Sequence, residues 1–190
     1  DPKRPLWRVE DGQSDTVVFQ RLRGAYGDEA VWYELASKRT VVVKDGSGSF
    51  RNSVRGGMAF FENVVLGRHE YDGIKVWGRQ LNPESHDNTL IVSRGSDAWM
   101  LGVKTEYGRT VLDQSAGSRT AIFGLMTYHQ GKEPMVVSKD ASLSLAVPAA
   151  RGGFYPVFVN AESGGKPLQI DKDYSASLVI VDGAPKGESK

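Results

Sequence analysis

The sequence predicts an all-β protein, built as a single antiparallel β-sandwich of immunoglobulin-like or jelly-roll-like form with short turns and little helix. Three observations predict it. β-Branched and aromatic residues recur in runs of four to eight, turn formers fill the gaps between runs, and the runs follow one another at the short interval expected of a sandwich or barrel. The 22 glycines and 8 prolines supply the breaks.

In chain order the strand-like runs include AVWYELA (30–36), RTVVVK (39–44), MAFFENVVL (58–66), IKVWGRQ (74–80) and TLIVS (89–93). They continue with AWMLGVKT (98–105), RTAIFGLMTYH (119–129), SLSLAV (142–147), FYPVFVN (154–160) and YSASLVIV (174–181). Segments such as KDGSGS, YDG, RGSD, SAGS and NAESGGKP lie between them and read as turns. Only 28–38 and 58–66 compete as helix, and their aromatic and β-branched residues favour strand. Residues 1–15 carry two prolines and several charges and are expected to form an arm. Residues 16–181 make the domain and residues 182–190 a polar tail. No internal repeat is evident.

The chain has 190 residues, enough to bury roughly 70% of its unfolded surface without disulfides or metals. Cysteine is absent, which excludes thiolate chemistry and cysteine-based zinc sites. The 24 basic residues nearly balance 23 acidic ones and are scattered, so no nucleic-acid partner is expected. No apolar run approaches the ~20 residues of a membrane-spanning helix, so no membrane insertion is expected. The start at Asp1-Pro2, without methionine, suggests a mature or trimmed chain, a pattern that export and an artificially set start would share.

No motif names a reaction. His69 and His86 stand beside acidic residues, but their spacing fits neither HExxH nor a facial triad, so both read as solvated turn residues, and His129 as a strand end. The segment DGSGSF (45–50) lacks the pattern of a nucleophile elbow or a phosphate loop and reads as a flexible hairpin tip. Glu62, Glu70, Asp72, Glu84 and Asp87 would serve a glycosidase only if two of them faced each other across a groove, and charged turns explain them equally well. No catalytic residue, metal site or cofactor is expected.

The aromatic residues point to binding. In IKVWGRQ, Ile74, Val76 and Gly78 share one face, and Lys75, Trp77 and Arg79 the other. With the first face in the core, Trp77 stands exposed between two cations, the composition of a ligand-binding platform for sugar or a partner. The opposing reading is that the Lys and Arg stems cover the ring. Trp99 is expected in the core. In the last strand Tyr174, Ala176, Leu178 and Ile180 form an apolar face expected to point inward.

The terminal DKDYSASLVIV, the charged arm before TVVFQRLRG (16–24) and the β-rich composition together resemble subunits of the chaperone–usher fimbriae of Gram-negative bacteria. That resemblance implies an incomplete immunoglobulin-like sandwich completed by strand addition. It implies an assembly groove flanked by Tyr174, Leu178 and Ile180, and a donor arm led by Val17 and Phe19. The function it implies is a non-enzymatic structural or adhesive subunit of an extracellular filament, at the cell surface after export through the periplasm. Its partners would be other protein subunits and a glycan receptor. A carbohydrate-binding, lectin-like β-sandwich and a viral or phage capsid or tail β-domain are the alternatives.

Overall fold

The computed structural model describes residues 4–23, 31–65, 67–86, 89–106, 109–128, 132–147, 155–171 and 178–182. It is all-β, but the expected antiparallel sandwich is overturned: the chain winds as a β-solenoid of about six turns between two parallel-rich sheets. Strands are numbered in chain order. The first sheet stacks β1 (Trp7–Val9), β3 (Val31–Leu35), β5 (Ser49–Asn52), β7 (His69–Asp72), β9 (Ile91–Arg94), β11 (Leu112–Ser115), β13 (Val136–Lys139) and β15 (Val157–Ser163) in parallel. The second stacks β2 (Thr16–Gln20), β4 (Thr40–Ser47), β6 (Met58–Val65), β8 (Lys75–Asn82), β10 (Asp97–Thr105), β12 (Arg119–Thr127) and β14 (Ser142–Ala146). Two reversed strands end the solenoid: β16 (Lys166–Asp171) pairs antiparallel with β15, and β17 (Leu178–Val181) with β14.

From β1 to β15, consecutive strands therefore lie in opposite sheets, and each pairs with the strand one full turn away. Tyr33, Phe50, His69 and Ile91 lie on one another in register, and each turn between them is longer than the one before. This is a repeat of geometry. Its uneven length and mixed residues hide it from a search for sequence repeats, which is why none was evident.

Among the described residues the gap at Gly164–Gly165 makes a hairpin, joining β15 to β16, and the corners explain why the other turn-rich gaps between the parallel strands do not. At Asp72–Gly73–Ile74–Lys75 the chain passes from one sheet to the other, and Gly73 and Gly95 take φ of 61° and 60°. The Arg55 guanidinium lies over both, so close that a Cβ at either position would collide with it. Glycine thus meets both the backbone and the packing requirement. The ladder continues through the bend: Gly73 donates to the Arg94 carbonyl at 2.8 Å, and the Ile74 amide donates to Ser96 Oγ at 3.1 Å. DGSGSF occupies the opposite corner. Gly46 to Phe50 are buried there, and the expected flexible hairpin tip is a packed bend.

A second left-handed column runs down the middle of the second sheet. Arg21, Asp45, Asn63, Gln80, Gly102 and Gly124 occupy equivalent positions and all have positive φ, between 51° and 82°. Each such residue breaks the in–out alternation of its strand. In β10, Ala98 and Met100 are buried, then Val103 and Thr105, with Leu101 and Gly102 left outside. Asn63 Nδ2 donates to Asp45 Oδ1 at 2.9 Å, linking neighbouring turns along this column.

The core fills the space between the sheets with Leu35, Phe50, Tyr71, Ile91 and Leu112 from one side and Val43, Phe61, Met100, Ile122 and Leu145 from the other. His69 belongs to it. Expected in a solvated turn, it is only 1% exposed, because it stacks in register between Phe50 and Ile91. Residues 7–9, placed in an arm by the sequence, pair with β3. Of the expected polar tail, 183–190 lie outside the described residues.

The face expected inward in the last strand is reversed. Val179 and Val181 are buried, while Leu178 and Ile180 point out; Tyr174 and Ala176 lie outside the described residues. The parallel winding leaves no sandwich of the kind the fimbrial resemblance implied, and among the described residues β17 pairs on one side, with β14 of the same chain. Val17 and Phe19, the expected donor residues, pair in β2 with Val41 and Val43 of the same chain and pack on its core.

Candidate functional site

The outer faces of the two sheets differ in kind. On the first sheet, Arg8, Glu34, Arg51 and Glu70 are stacked in register with alternating charge. Glu34 is almost wholly covered: Arg51 Nε donates to it at 2.8 Å, Ser53 Oγ at 3.0 Å, and Arg8 makes a third contact. Burial raises the cost of its charge, but the Arg51 and Ser53 hydrogen bonds and the two guanidinium charges outweigh that and hold its carboxyl below the ordinary range.

On the second sheet the outer face is apolar. Val18, Met58, Phe60, Trp99, Leu101 and Phe123 are all exposed there. Register makes an aromatic row of the central column, since Phe60 pairs with Trp77 and Trp77 with Trp99. Phe60 and Trp77 stack with centroids 4.7 Å apart and planes 7° from parallel; Trp77 and Trp99 stack at 5.3 Å and 21°.

Two residues further along each strand, a second outward column reads Lys44, Glu62, Arg79, Leu101, Phe123. Lys44 Nζ stands 2.9 Å from Glu62 Oε2, and Arg79 Nη1 4.0 Å from Glu62 Oε1. Between the two columns lies an open groove of about 660 Å³, running along the solenoid axis from Thr16 and Thr40 to Phe123. One wall is Val42, Phe60, Trp77 and Trp99. The other is charged for three turns and apolar for the last two. At the usual ~4.8 Å between strands, five turns span about 19 Å.

Of the sequence-predicted ligand residues, Trp77 and Arg79 line this groove, and Lys75 lies on the same outer face beyond the aromatic row. The faces of the Trp77 ring are covered by Phe60 and Trp99 rather than by the stems of Lys75 and Arg79. Trp99, expected in the core, is 41% exposed. Its register neighbour on the far side is Ala121, whose methyl is too small to cover an indole, so Trp99 carries the free ring face that Trp77 lacks.

The sequence missed Trp99 because every residue of AWMLGV is apolar or small, and a uniformly apolar run does not reveal which face is buried.

Among the described residues the paired-carboxylate arrangement does not form. Among the described residues Glu62 is the one carboxylate lining the groove and is held between two cations, whereas Glu70 and Asp72 sit on the first sheet. Glu84 bridges to Gly67, and Asp87 lies outside the described residues. Among the described residues no group of three or more His, Asp or Glu could hold a metal ion. His86 lies exposed at a loop; His129 is outside the described residues. Also among the described residues, no helix is long and apolar enough to cross a membrane. Comparison with protein-family models, with curated proteins and with solved structures found no match for this chain.

Proposed function

We propose that the chain is a carbohydrate-binding module whose ligand, an extended glycan, lies along the solenoid axis in the groove of the second sheet. The observation that carries this reading is the two-walled groove itself. Aromatic and aliphatic surface suits the C–H faces of sugar rings, and Lys44, Glu62 and Arg79 offer donors and acceptors to hydroxyl groups on the facing wall. A linear ligand gains contacts at each turn, so affinity accumulates along the axis. Trp99 provides the stacking face and Trp77 holds it in place.

The fimbrial route of assembly needs an acceptor gap in an incomplete sandwich, which a solenoid does not provide. An extracellular location and a glycan receptor fit the binding reading equally well and remain part of the proposal.

The test is binding of the wild-type chain and its Trp99→Ala variant to an array of linear polysaccharides. Wild-type binding that falls at least tenfold on substitution supports the assignment. Absence of any glycan binding by a folded wild-type chain would sink it, as would an unchanged affinity in Trp99→Ala.

A further inference from the structure

In the second sheet the two outermost strands, β17 and β2, are finished differently. At the C-terminal end the inward residues of the last strand, Val179 and Val181, are buried at 5% and 7% exposure. At the other end Trp7, Val17, Phe19 and Leu22 are only partly covered, although Val17, Phe19 and Leu22 pack against the core. Strands β1 and β2 are the outermost members of their sheets there, and among the described residues no strand lies beyond them. Among the described residues nothing caps this end, and a solenoid end of that kind leaves a hydrogen-bonding edge and apolar interior open to water.

The geometry of β2 says what fits this edge. Asp15 accepts from Thr40 N at 2.8 Å, and Arg21 donates to Lys44 O at 2.9 Å, so the odd-numbered residues turn their backbone groups toward β4. By alternation, Thr16, Val18 and Gln20 direct N–H and C=O to the open side. None of the five residues of β2 is charged or proline, so the edge lacks the usual devices that keep a second strand away.

We infer that β2 pairs antiparallel with β2 of a second copy, about a two-fold axis at Val18. In that register the two Val18 residues exchange both backbone hydrogen bonds, and Thr16 exchanges with Gln20 of the other copy. On the inner face Val17 meets Phe19 of the other copy, and Phe19 meets its Val17, so apolar residues close the exposed end of each core. The pattern TVVFQ is thus self-complementary about its central residue, which is the argument for a second copy over an unrelated strand. On β1, Arg8 lies at the same end, and its charge is already met by Glu10 and Glu34. A two-fold along the sheet normal sets both aromatic faces on one side of the dimer. The pairing holds whatever the groove binds.

The experiment is light scattering on the 190-residue chain over a wide range of concentration, with Val18→Pro as the variant. Proline removes only the amide that faces the open edge and leaves the pairing with β4 intact. The expected result is a wild-type dimer and a Val18→Pro monomer with unchanged circular dichroism. Val18→Lys, which sets two charges face to face at the axis, is the second variant should the proline unfold the chain, and it too is expected to be monomeric. A wild-type chain monomeric at every concentration would overturn the inference, and so would a folded variant that remains dimeric.

Discussion

Trp77 and Phe60, one turn of the solenoid apart, lie face to face with their planes 7° from parallel and centroids 4.7 Å apart. With Trp99 stacked on the other side, Trp77 is the middle ring of three and ties three successive turns together on the outer face of the second sheet.

Trp77→Ala is therefore expected to lower stability by about 2–4 kcal/mol, from lost ring contacts on both faces plus lost apolar burial. Trp77→Phe should recover more than half of that. Chemical denaturation midpoints of the three proteins check this, and an alanine variant as stable as the wild type would contradict it.

His69 makes stability depend on pH in a defined window. Burial depresses its pKa from 6.5 to about 4, and among the described residues neither ring nitrogen has a hydrogen-bond partner. Between those values the unfolded chain binds a proton that the folded one does not, so stability falls as pH drops from 6.5 toward 4 and is unaffected above 6.5. At pH 5 the loss amounts to about 2 kcal/mol. In His69→Leu this part of the pH dependence should vanish, which unfolding curves of both proteins at pH 7 and pH 5 would reveal.

Glu34→Gln takes the shared carboxylate away from Arg51 and Arg8, although Arg8 keeps its contact with Glu10. Both guanidinium groups are exposed by a third or more and keep access to water, so the expected loss at pH 7 is about 1–2 kcal/mol, mostly the hydrogen bonds to the charged carboxylate. Because the folded carboxyl is held below 4.5, its contribution is present above that pH and fades as acid protonates it. The gap between wild type and variant should therefore shrink by pH 3, and a gap that stays constant would argue against the ionic origin.

Gly124 has φ of 82° and no atom nearer than 3.8 Å to the site of a Cβ, so a substitution there meets backbone strain and no clash. Gly124→Val should cost about 2 kcal/mol and Gly124→Asn distinctly less, in line with the tolerance of asparagine for this conformation. Thermal melts that rank the two variants in the reverse order would show that the strand bends elsewhere.

The legible part of the sequence was local. Alternation in IKVWGRQ placed Val76 inside and Trp77 outside, and both stand so. Alternation failed where both faces were apolar, as at Trp99, and in the last strand, where Leu178 and Ile180 took the outer face that the pattern assigned to Val179 and Val181. It failed again at Asp45, Asn63 and Gln80, where one left-handed residue shifts the in–out pattern of the rest of the strand. Asp-Gly at 45–46 and the lone glycines at 102 and 124 were the signals of that column, but they read equally well as ordinary hairpin turns.

By itself the sequence determined that the chain is made of strands, because β-branched and aromatic runs between turn formers favour extended backbone whatever they pair with. It also determined that Trp77 would leave the core. Which strand pairs with which was decided only by the tertiary structure. A glycine-rich gap directs the chain either back beside the preceding strand or around a corner to the opposite sheet, and the local backbone requirements are similar for both. Here stacking along the axis on the inner face of the first sheet, from Tyr33 to Phe50 to His69 to Ile91, selected the corner. That choice set Phe60, Trp77 and Trp99 in one row and made the groove beside them.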